Sequence, residues 1–321
     1  MPTPRRKKMK KIATALLTSA IALWSVSTVQ AGEIAVIVKT VNSTFWQNVQ
    51  KGADAAMKNS SGNTMTFQGP AAESAIADQV NMVENAINRK VAGIVLAPSD
   101  PDALVPAVKK AWEARIPVVL IDSQLAKGSD QYYQSFLATD NKKAGELAAQ
   151  ALIDKVGTEG KIAVMSYVAG AGSEIGRVGG FTDYIQMHSK LQIVGPFYSQ
   201  SQMATALNQT TDVLAANSDL KGIFGANEPT AIGVGRALAQ SGKAGKVVAI
   251  GFDGNQDLQS FVKDGTLAGI VVQGSYQMGE KGVETVTKLI NKEKVEKFVD
   301  TGVVVVTKDN IEKPEAKNVL Y

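Results

Sequence analysis

From residue 34 onward the chain alternates short apolar runs with longer segments of helical period. The runs are IAVIV (34–38), TMTF (64–67), AGIVLA (92–97), PVVLID (117–122), KIAVM (161–165), LQIVG (191–195), GIFGA (222–226), KVVAIGF (246–252) and GIVV (269–272). They are rich in Val and Ile and barely alternate with polar residues, the pattern of strands covered on both faces of a parallel sheet. Between them lie segments of helical period that include 45–58, 74–89, 101–115, 141–155, 203–216 and 275–291. Strict strand–helix alternation predicts an α/β protein of doubly wound parallel sheets. A length of 321 residues leaves room for two such domains.

Right-handed crossovers place every strand's C-terminal end on one edge of its sheet, and ligands bind at that edge. The residues that follow each run therefore form one set. They are KTVNSTFW (39–46), APSDPD (97–102), DSQLAKG (122–128), GAGSEIGR (170–177), ANEPT (226–230), FDGNQD (252–257) and QGSYQ (273–277). The set holds two carboxylates, Asp122 and Asp253, two cations, Lys39 and Arg177, and the amides Asn227 and Gln273. The charges nearly cancel. Carboxylates accept, guanidinium donates and amides do both, so such a rim suits a neutral ligand covered in hydroxyls. Phe45 and Trp46 stand side by side in the first of these loops, beside Lys39 and Ser43. A flat aromatic covers the C–H face of a sugar ring while polar groups hold its edge. The competing reading is that the two rings simply open the first helix and pack on the sheet.

The N-terminus reads as an export signal. MPTPRRKKMKK is basic, IATALLTSAIALWSVSTV is apolar, and Val29 and Ala31 are the small residues of a cleavage site before Gly32. An uncleaved membrane anchor is the alternative. Cleavage after Ala31 predicts a periplasmic protein. The formal charge of +4 becomes −2 once the six cations of this segment are taken away, which removes the electrostatic case for a nucleic-acid partner. The chain has no cysteine and a single histidine, His188, so thiol chemistry is excluded and most histidine chemistry rests on one residue.

Five motifs then carry a resemblance: VKTVNSTFWQNVQKGA near the start, LATDNKKAG at 137–145, RVGGF at 177–181, FGANEPTAIGVGRAL at 224–238 and VVAIGFDGNQD at 247–257. Over nearly its whole length after the signal the chain resembles periplasmic sugar-binding proteins of ribose and allose type. These serve ATP-driven (ABC) importers and share a fold with the effector-binding half of lactose-repressor-like regulators. The resemblance implies two α/β lobes of the periplasmic binding protein type I fold, joined by a three-crossing hinge. The lobes fall at 32–139 with 274–300 and at 140–273 with 301–321. It implies a monosaccharide (pentose, hexose or related polyol) clamped between the lobes of a monomer that delivers it to a membrane permease. The alternative is a receptor for a sugar or a furanosyl signal that docks on a chemoreceptor or sensor kinase. It also implies the ligand-binding roles: the aromatic platform on Phe45 and Trp46, carboxylates on Asp122 and Asp253, the clamp arginine on Arg177, amides on Asn227 and Gln273, and a cation on Lys39 at an allose-type position.

Four positions depart from the ribose pattern. Ser43 and Ala97 stand where ribose binders have asparagine, and Ser123 follows Asp122 where they have arginine. An aromatic of the second lobe falls near Ser201, with Tyr198 the nearest substitute. Loss of the arginine leaves a roomier pocket. The Gly69-Pro70 pair, Ala97 and the Asp122-Ser123 pair are more similar to relatives that bind deoxy sugars or furanosyl signals.

Other chemistries are weakly supported. Gly170, Gly172 and Gly176 imitate a dinucleotide fingerprint, but the next strand ends in FYSQ without the acid that would hold a ribose. Asp253, Asn255 and Asp257 imitate a calcium loop, but Leu258 stands where it needs glycine, and a helix N-cap is the better reading of Asn255 or Asp257. His188 falls at a predicted helix end, where it would help cap carbonyls. Asp122 and Asp253 would have to flank a glycosidic bond to hydrolyse it. No catalytic residue, cofactor or metal is expected.

Overall fold

The computed structural model describes residues 1–3, 32–60 and 62–321. Apart from its first three residues, the export signal read at 1–31 lies outside the described residues.

Twelve strands form two six-stranded sheets. The first holds β1 (Glu33–Ile37), β2 (Thr64–Gln68), β3 (Gly93–Leu96), β4 (Val118–Ile121) and β5 (Ser135–Ala138). The second holds β6 (Glu159–Ser166), β7 (Lys190–Tyr198), β8 (Leu220–Gly225), β9 (Val248–Phe252) and β10 (Gly269–Gln273). The chain then returns to the first sheet as β11 (Phe298–Asp300) and ends in the second as β12 (Val303–Val306). The spatial orders are β2-β1-β3-β4-β5-β11 and β7-β6-β8-β9-β10-β12, the same order twice. In each the winding reverses beside the first strand, at β1/β3 and β6/β8, and such a switch point opens a crevice at the strand ends.

All nine apolar runs are strands, and parallel pairing dominates, with Ile34↔Gly93 through Ile37↔Leu96 joining β1 to β3. β5, β11 and β12 come in addition. The expectation of wholly parallel sheets needs one correction: β12 pairs antiparallel with β10, Gln273↔Val303 through Ile270↔Val306. The chain passes from the end of β11 in the first sheet directly into β12 of the second, so it enters that sheet at the edge where the parallel strands end and runs against them.

Among the described residues ten helices flank the sheets: α1 (Thr44–Met57), α2 (Ile76–Asn88), α3 (Val105–Glu113), α4 (Asn141–Val156), α5 (Gly172–His188), α6 (Met203–Ala216), α7 (Glu228–Gln240), α8 (Gln256–Asp264), α9 (Ser275–Ile290) and α10 (Pro314–Lys317). Each strand feeds apolar side chains to both sides. Ile34 and Val36 of β1 join one cluster while Ala35 and Ile37 join another, and Ile162/Val164 and Ala163/Met165 of β6 divide in the same way. This two-sided cover is why the runs lack polar alternation. Three crossings link the sheets, and two are tied together. Thr301 N donates to the Ala138 carbonyl at 3.1 Å, and Thr139 Oγ1 donates to the Gly302 carbonyl at 3.1 Å.

The helix pairs α1–α9 and α4–α5 approach closely because each presents glycine to the other's backbone. A methyl on Gly52 would collide with the Tyr276 carbonyl, and one on Gly279 with the Val49 carbonyl. In the second lobe a methyl on Gly145 would meet the Arg177 carbonyl, and one on Gly180 the Lys142 carbonyl. Gly179, also in α5, has open space where its methyl would go. Gly145→Ala should therefore destabilise the protein by about 1–3 kcal/mol through forced backbone separation. Gly179→Ala should raise stability by up to about 1 kcal/mol by restricting the unfolded chain. Thermal melts of the two variants should move in opposite directions; a common sign would contradict the close helix contact.

Candidate ligand-binding cleft

The strand ends of the two sheets face one cavity. Lys39, Ser43, Phe45, Trp46, Asp122, Arg177, Asn227, Asp253 and Gln273 all line it. Of the residues singled out from sequence, only Ser123 stands behind the wall, where its hydroxyl supports the charges in front.

Lys39 and Asp122 form the centre of one wall, with Nζ 2.7 Å from Oδ2 and both side chains almost wholly buried. The Lys39 ammonium also donates to Ser123 Oγ at 2.7 Å and to Ser173 Oγ at 3.2 Å. An ammonium has three donors, so these three protein acceptors occupy all of them. Lys39 therefore holds Asp122 in place, and its expected contact with a ligand oxygen gives way to this supporting role. Ser123 Oγ donates to Asp122 Oδ2 at 2.8 Å and accepts the Ser173 amide at 3.2 Å.

Arg177 forms the opposite wall from α5 and is 2% exposed. Its Nε and Nη2 donate to Asn141 Oδ1 at 3.2 and 2.8 Å, and Nη1 donates to the Ala226 carbonyl at 2.7 Å. The guanidinium lies 3.7 Å over the Phe252 ring, a cation–π contact that fixes its plane. Three of five donors are thus used, and two remain on the cavity side.

Asp253 accepts the Glu228 amide on Oδ2 at 2.9 Å and Gln273 Nε2 on Oδ1 at 2.9 Å. The Gln273 Oε1 atom is buried and has no protein partner. Asn227 caps α7 by accepting the Thr230 amide at 3.2 Å, and its Nδ2 donates to Ser201 Oγ at 3.0 Å. Both carboxylate residues adopt left-handed backbone, Asp122 at φ 61° and Asp253 at φ 77°. Aspartate tolerates this region better than most residues, and each turns sharply off its strand to face the cavity.

Phe45 and Trp46 join the first lobe's apolar cluster and line the cavity as well, so both pack in the core and both face the cleft. Their rings meet edge to face, 4.8 Å apart at 88°. They cannot both lie flat on one plane. Trp46 Nε1 donates to Glu73 Oε1 at 3.0 Å. Near Ser201 no aromatic reaches the cavity: Tyr198 sits half-buried in β7 beside Ser166, outside the lining. The second lobe's aromatic is Tyr167, which directly follows β6 and donates to Ser173 Oγ at 2.9 Å. Burial raises its phenol pKa, so it stays protonated.

Glu73, Tyr167, Ser173, Glu228 and Pro229 also line the cavity and were not singled out from sequence. Ser173, Glu228 and Pro229 lie inside the loop sets that were compared; Tyr167 stands next to a recognised strand and Glu73 follows β2, a strand end left out of the comparison. Ala97 is buried outside the lining. Asn255 is the N-cap of α8, accepting the Leu258 amide at 3.0 Å, and Asp257 pairs with Arg236 at 3.1 Å, so both have structural work in place of calcium. His188 ends α5 and stacks on Tyr184.

The periplasmic binding protein domain matches residues 34–294. The chain belongs to that family. A solute-binding protein of an ABC transporter from Agrobacterium vitis, solved with bound D-fucose, is 84% identical and superposes with a TM-score of 0.90, over 90% of this chain and 100% of that one. The ribose import binding protein RbsB of Salmonella typhimurium is 32% identical over 291 residues, 90% of this chain and 95% of the relative. The D-allose-binding periplasmic protein of Escherichia coli is 31% identical over 267 residues, 82% and 86% of the two chains. The resemblance to ribose- and allose-type binders therefore holds across the family's length.

Burial pushes the Asp253 carboxyl from an ordinary 3.8 up to about 7; Arg177 opposes the shift and Glu228 adds to it. The folded protein thus holds this proton more tightly than the unfolded chain. The associated stability is full below about 4 and is lost as pH rises through about 7. In sugar-free protein, the melting temperature of Asp253→Asn relative to wild type should rise between pH 5 and pH 8. Scanning calorimetry that finds the same difference at both pH values would rule out the shift.

Proposed function

We propose that this chain is a periplasmic solute-binding protein that captures one monosaccharide between its lobes and presents it to the membrane permease of an ABC importer. The observation that carries the reading is the cavity's remaining hydrogen-bonding capacity. Arg177 keeps two donors and Asn227 one, while Gln273 Oε1 and Asp122 Oδ1 have no protein hydrogen bond among the described residues. This mixture of donors and acceptors matches a neutral ring bearing several hydroxyls. Phe45, Trp46, Tyr167 and Pro229 supply apolar cover for the C–H faces. Lys39 and Ser123 act behind Asp122, and Ser43 borders the ring while capping α1.

Within the monosaccharides, a 6-deoxyhexose of the D-fucose type fits best. The Agrobacterium vitis protein with D-fucose is 84% identical to this chain. Ser123 stands where ribose binders have an arginine fork, so the site offers fewer donors, as a methyl group in place of a hydroxymethyl requires. The lobes, 32–139 with 274–300 and 140–273 with 301–321, close about the three crossings as a hinge. The sugar is bound and released unchanged; no reaction is assigned to the cleft. The N-terminal signal supports delivery to the periplasm, where the D-allose-binding relative is named as residing.

Titration calorimetry should show D-fucose binding in preference to D-ribose, with the sugar recovered intact. Asp122→Ala and Arg177→Ala should each lose on the order of 2–5 kcal/mol of binding free energy by leaving buried partners unpaired. Unchanged affinity in both variants would remove the site assignment, and hydrolysis or oxidation of the recovered sugar would remove the transport reading.

A further inference from the structure

Two carboxylates beside the cavity reach across it in opposite directions. Glu73, after β2 in the first lobe, accepts Ser201 Oγ of the second lobe on Oε2 at 2.6 Å, while its Oε1 accepts Trp46 Nε1. Glu228, at the start of α7 in the second lobe, accepts Thr44 Oγ1 of the first lobe on Oε2 at 2.7 Å. Thr44 opens α1, so this carboxylate stands at that helix's N-terminus, where a negative charge is stabilised by the helix dipole. Tyr321, which packs against the first lobe's core from the second, donates to Glu228 Oε2 at 2.9 Å, and Asn255 Nδ2 donates to Thr44 Oγ1 at 3.2 Å.

We propose that Glu73 and Glu228 are reciprocal cross-cleft latches, positioning residues that hold the lobes shut and in the same contacts fix the two aromatics against which the sugar lies. The proposal rests on the sugar-clamp reading above. Glu73 joins Ser201 of the facing lobe to Trp46 in its own, and Glu228 holds Thr44, the residue before Phe45. Opening the cleft breaks Glu73–Ser201 and Glu228–Thr44, the two contacts made across it. A buried carboxylate is costly unless its lone pairs are filled, and in the closed form both glutamates have those bonds. The latch on the Glu73 side is itself held in a strained loop. Gln200 and Ser201 both have left-handed backbone, at φ 57° and 56°, and this places the Ser201 hydroxyl between Glu73 and Asn227. Apparent affinity scales with the fraction of protein in the binding-competent form, so latches that favour closure tighten binding without touching the ligand.

Thr44→Val and Ser201→Ala remove the far partner of each latch; Thr44→Val leaves every lining side chain its bonds except that of Glu228, while Ser201→Ala also takes the acceptor of Asn227 Nδ2. Each should weaken D-fucose binding about tenfold, as expected for loss of a hydrogen bond to a charged group, and speed release. The double variant should lose about a hundredfold if the latches act independently. Thr44→Ser, which keeps the hydroxyl, should bind as wild type, and the sugar-free melting temperatures should stay close to wild type. A double variant with affinity within twofold of wild type would overturn the latches. Failure of the wild-type protein to bind D-fucose would count against the sugar assignment instead. The latches are then decided by small-angle scattering of the sugar-free proteins: a larger radius of gyration in the double variant supports them, and equal radii overturn them.

Discussion

The contact on which the cleft depends is the buried pair of Lys39 and Asp122, 2.7 Å apart at the point where two polar sheet edges meet. Removing two charges from water costs several kcal/mol each, and their attraction offsets this only when the remaining donors and acceptors are also satisfied. Here the ammonium's other bonds go to Ser123 and Ser173, and the aspartate receives the Ser123 hydroxyl. Ser173 belongs to the second lobe, so the pair that orders one wall also ties it to the other. With those two charges balanced against each other, this wall presents hydrogen-bonding groups without an unpaired charge.

The two lobes reach this arrangement by the same means. Each has the strand order 2-1-3-4-5-6, each packs a helix pair through mutual glycine contacts, and each places an aspartate with left-handed backbone after its fourth strand. The chemistry then diverges. After β1 the first lobe supplies Lys39, Phe45 and Trp46; after β6 the second supplies Tyr167, Ser173 and Arg177. One fold repeated thus yields a cation and flat apolar rings on one side and a guanidinium and a phenol on the other. Both sets line the same cavity.

Much of this was legible in the sequence because burial on both faces of a parallel sheet leaves a continuous Val/Ile signature. The short strand Ser135–Ala138 and the three-residue strand Phe298–Asp300 gave no such signature, the latter being an edge strand whose Phe298 is half exposed. Val303–Val306 carries the same signal as the other runs and belongs with them; what its sequence does not show is that it enters antiparallel. At the site, comparing strand ends brought together Lys39, Asp122, Arg177, Asn227, Asp253 and Gln273, since the fold rule fixes where strand ends lie. The same comparison did not reveal that Lys39's donors would all be taken by protein acceptors, or that the second lobe's aromatic would be Tyr167 and not Tyr198.

By itself, then, the sequence determined the α/β architecture, the edge on which the ligand groups gather and the chemical types gathered there. These follow from local periodicity and from the handedness of crossovers, which act on stretches of tens of residues. Tertiary structure decided which atoms remain free for a ligand, that Phe45 and Trp46 stand at right angles, and that Glu73 and Glu228 reach across to the facing lobe. The reach of the two glutamates depends on residues 128 and 184 positions apart in the chain. Only the packing of two whole lobes against each other brings such residues within hydrogen-bonding range.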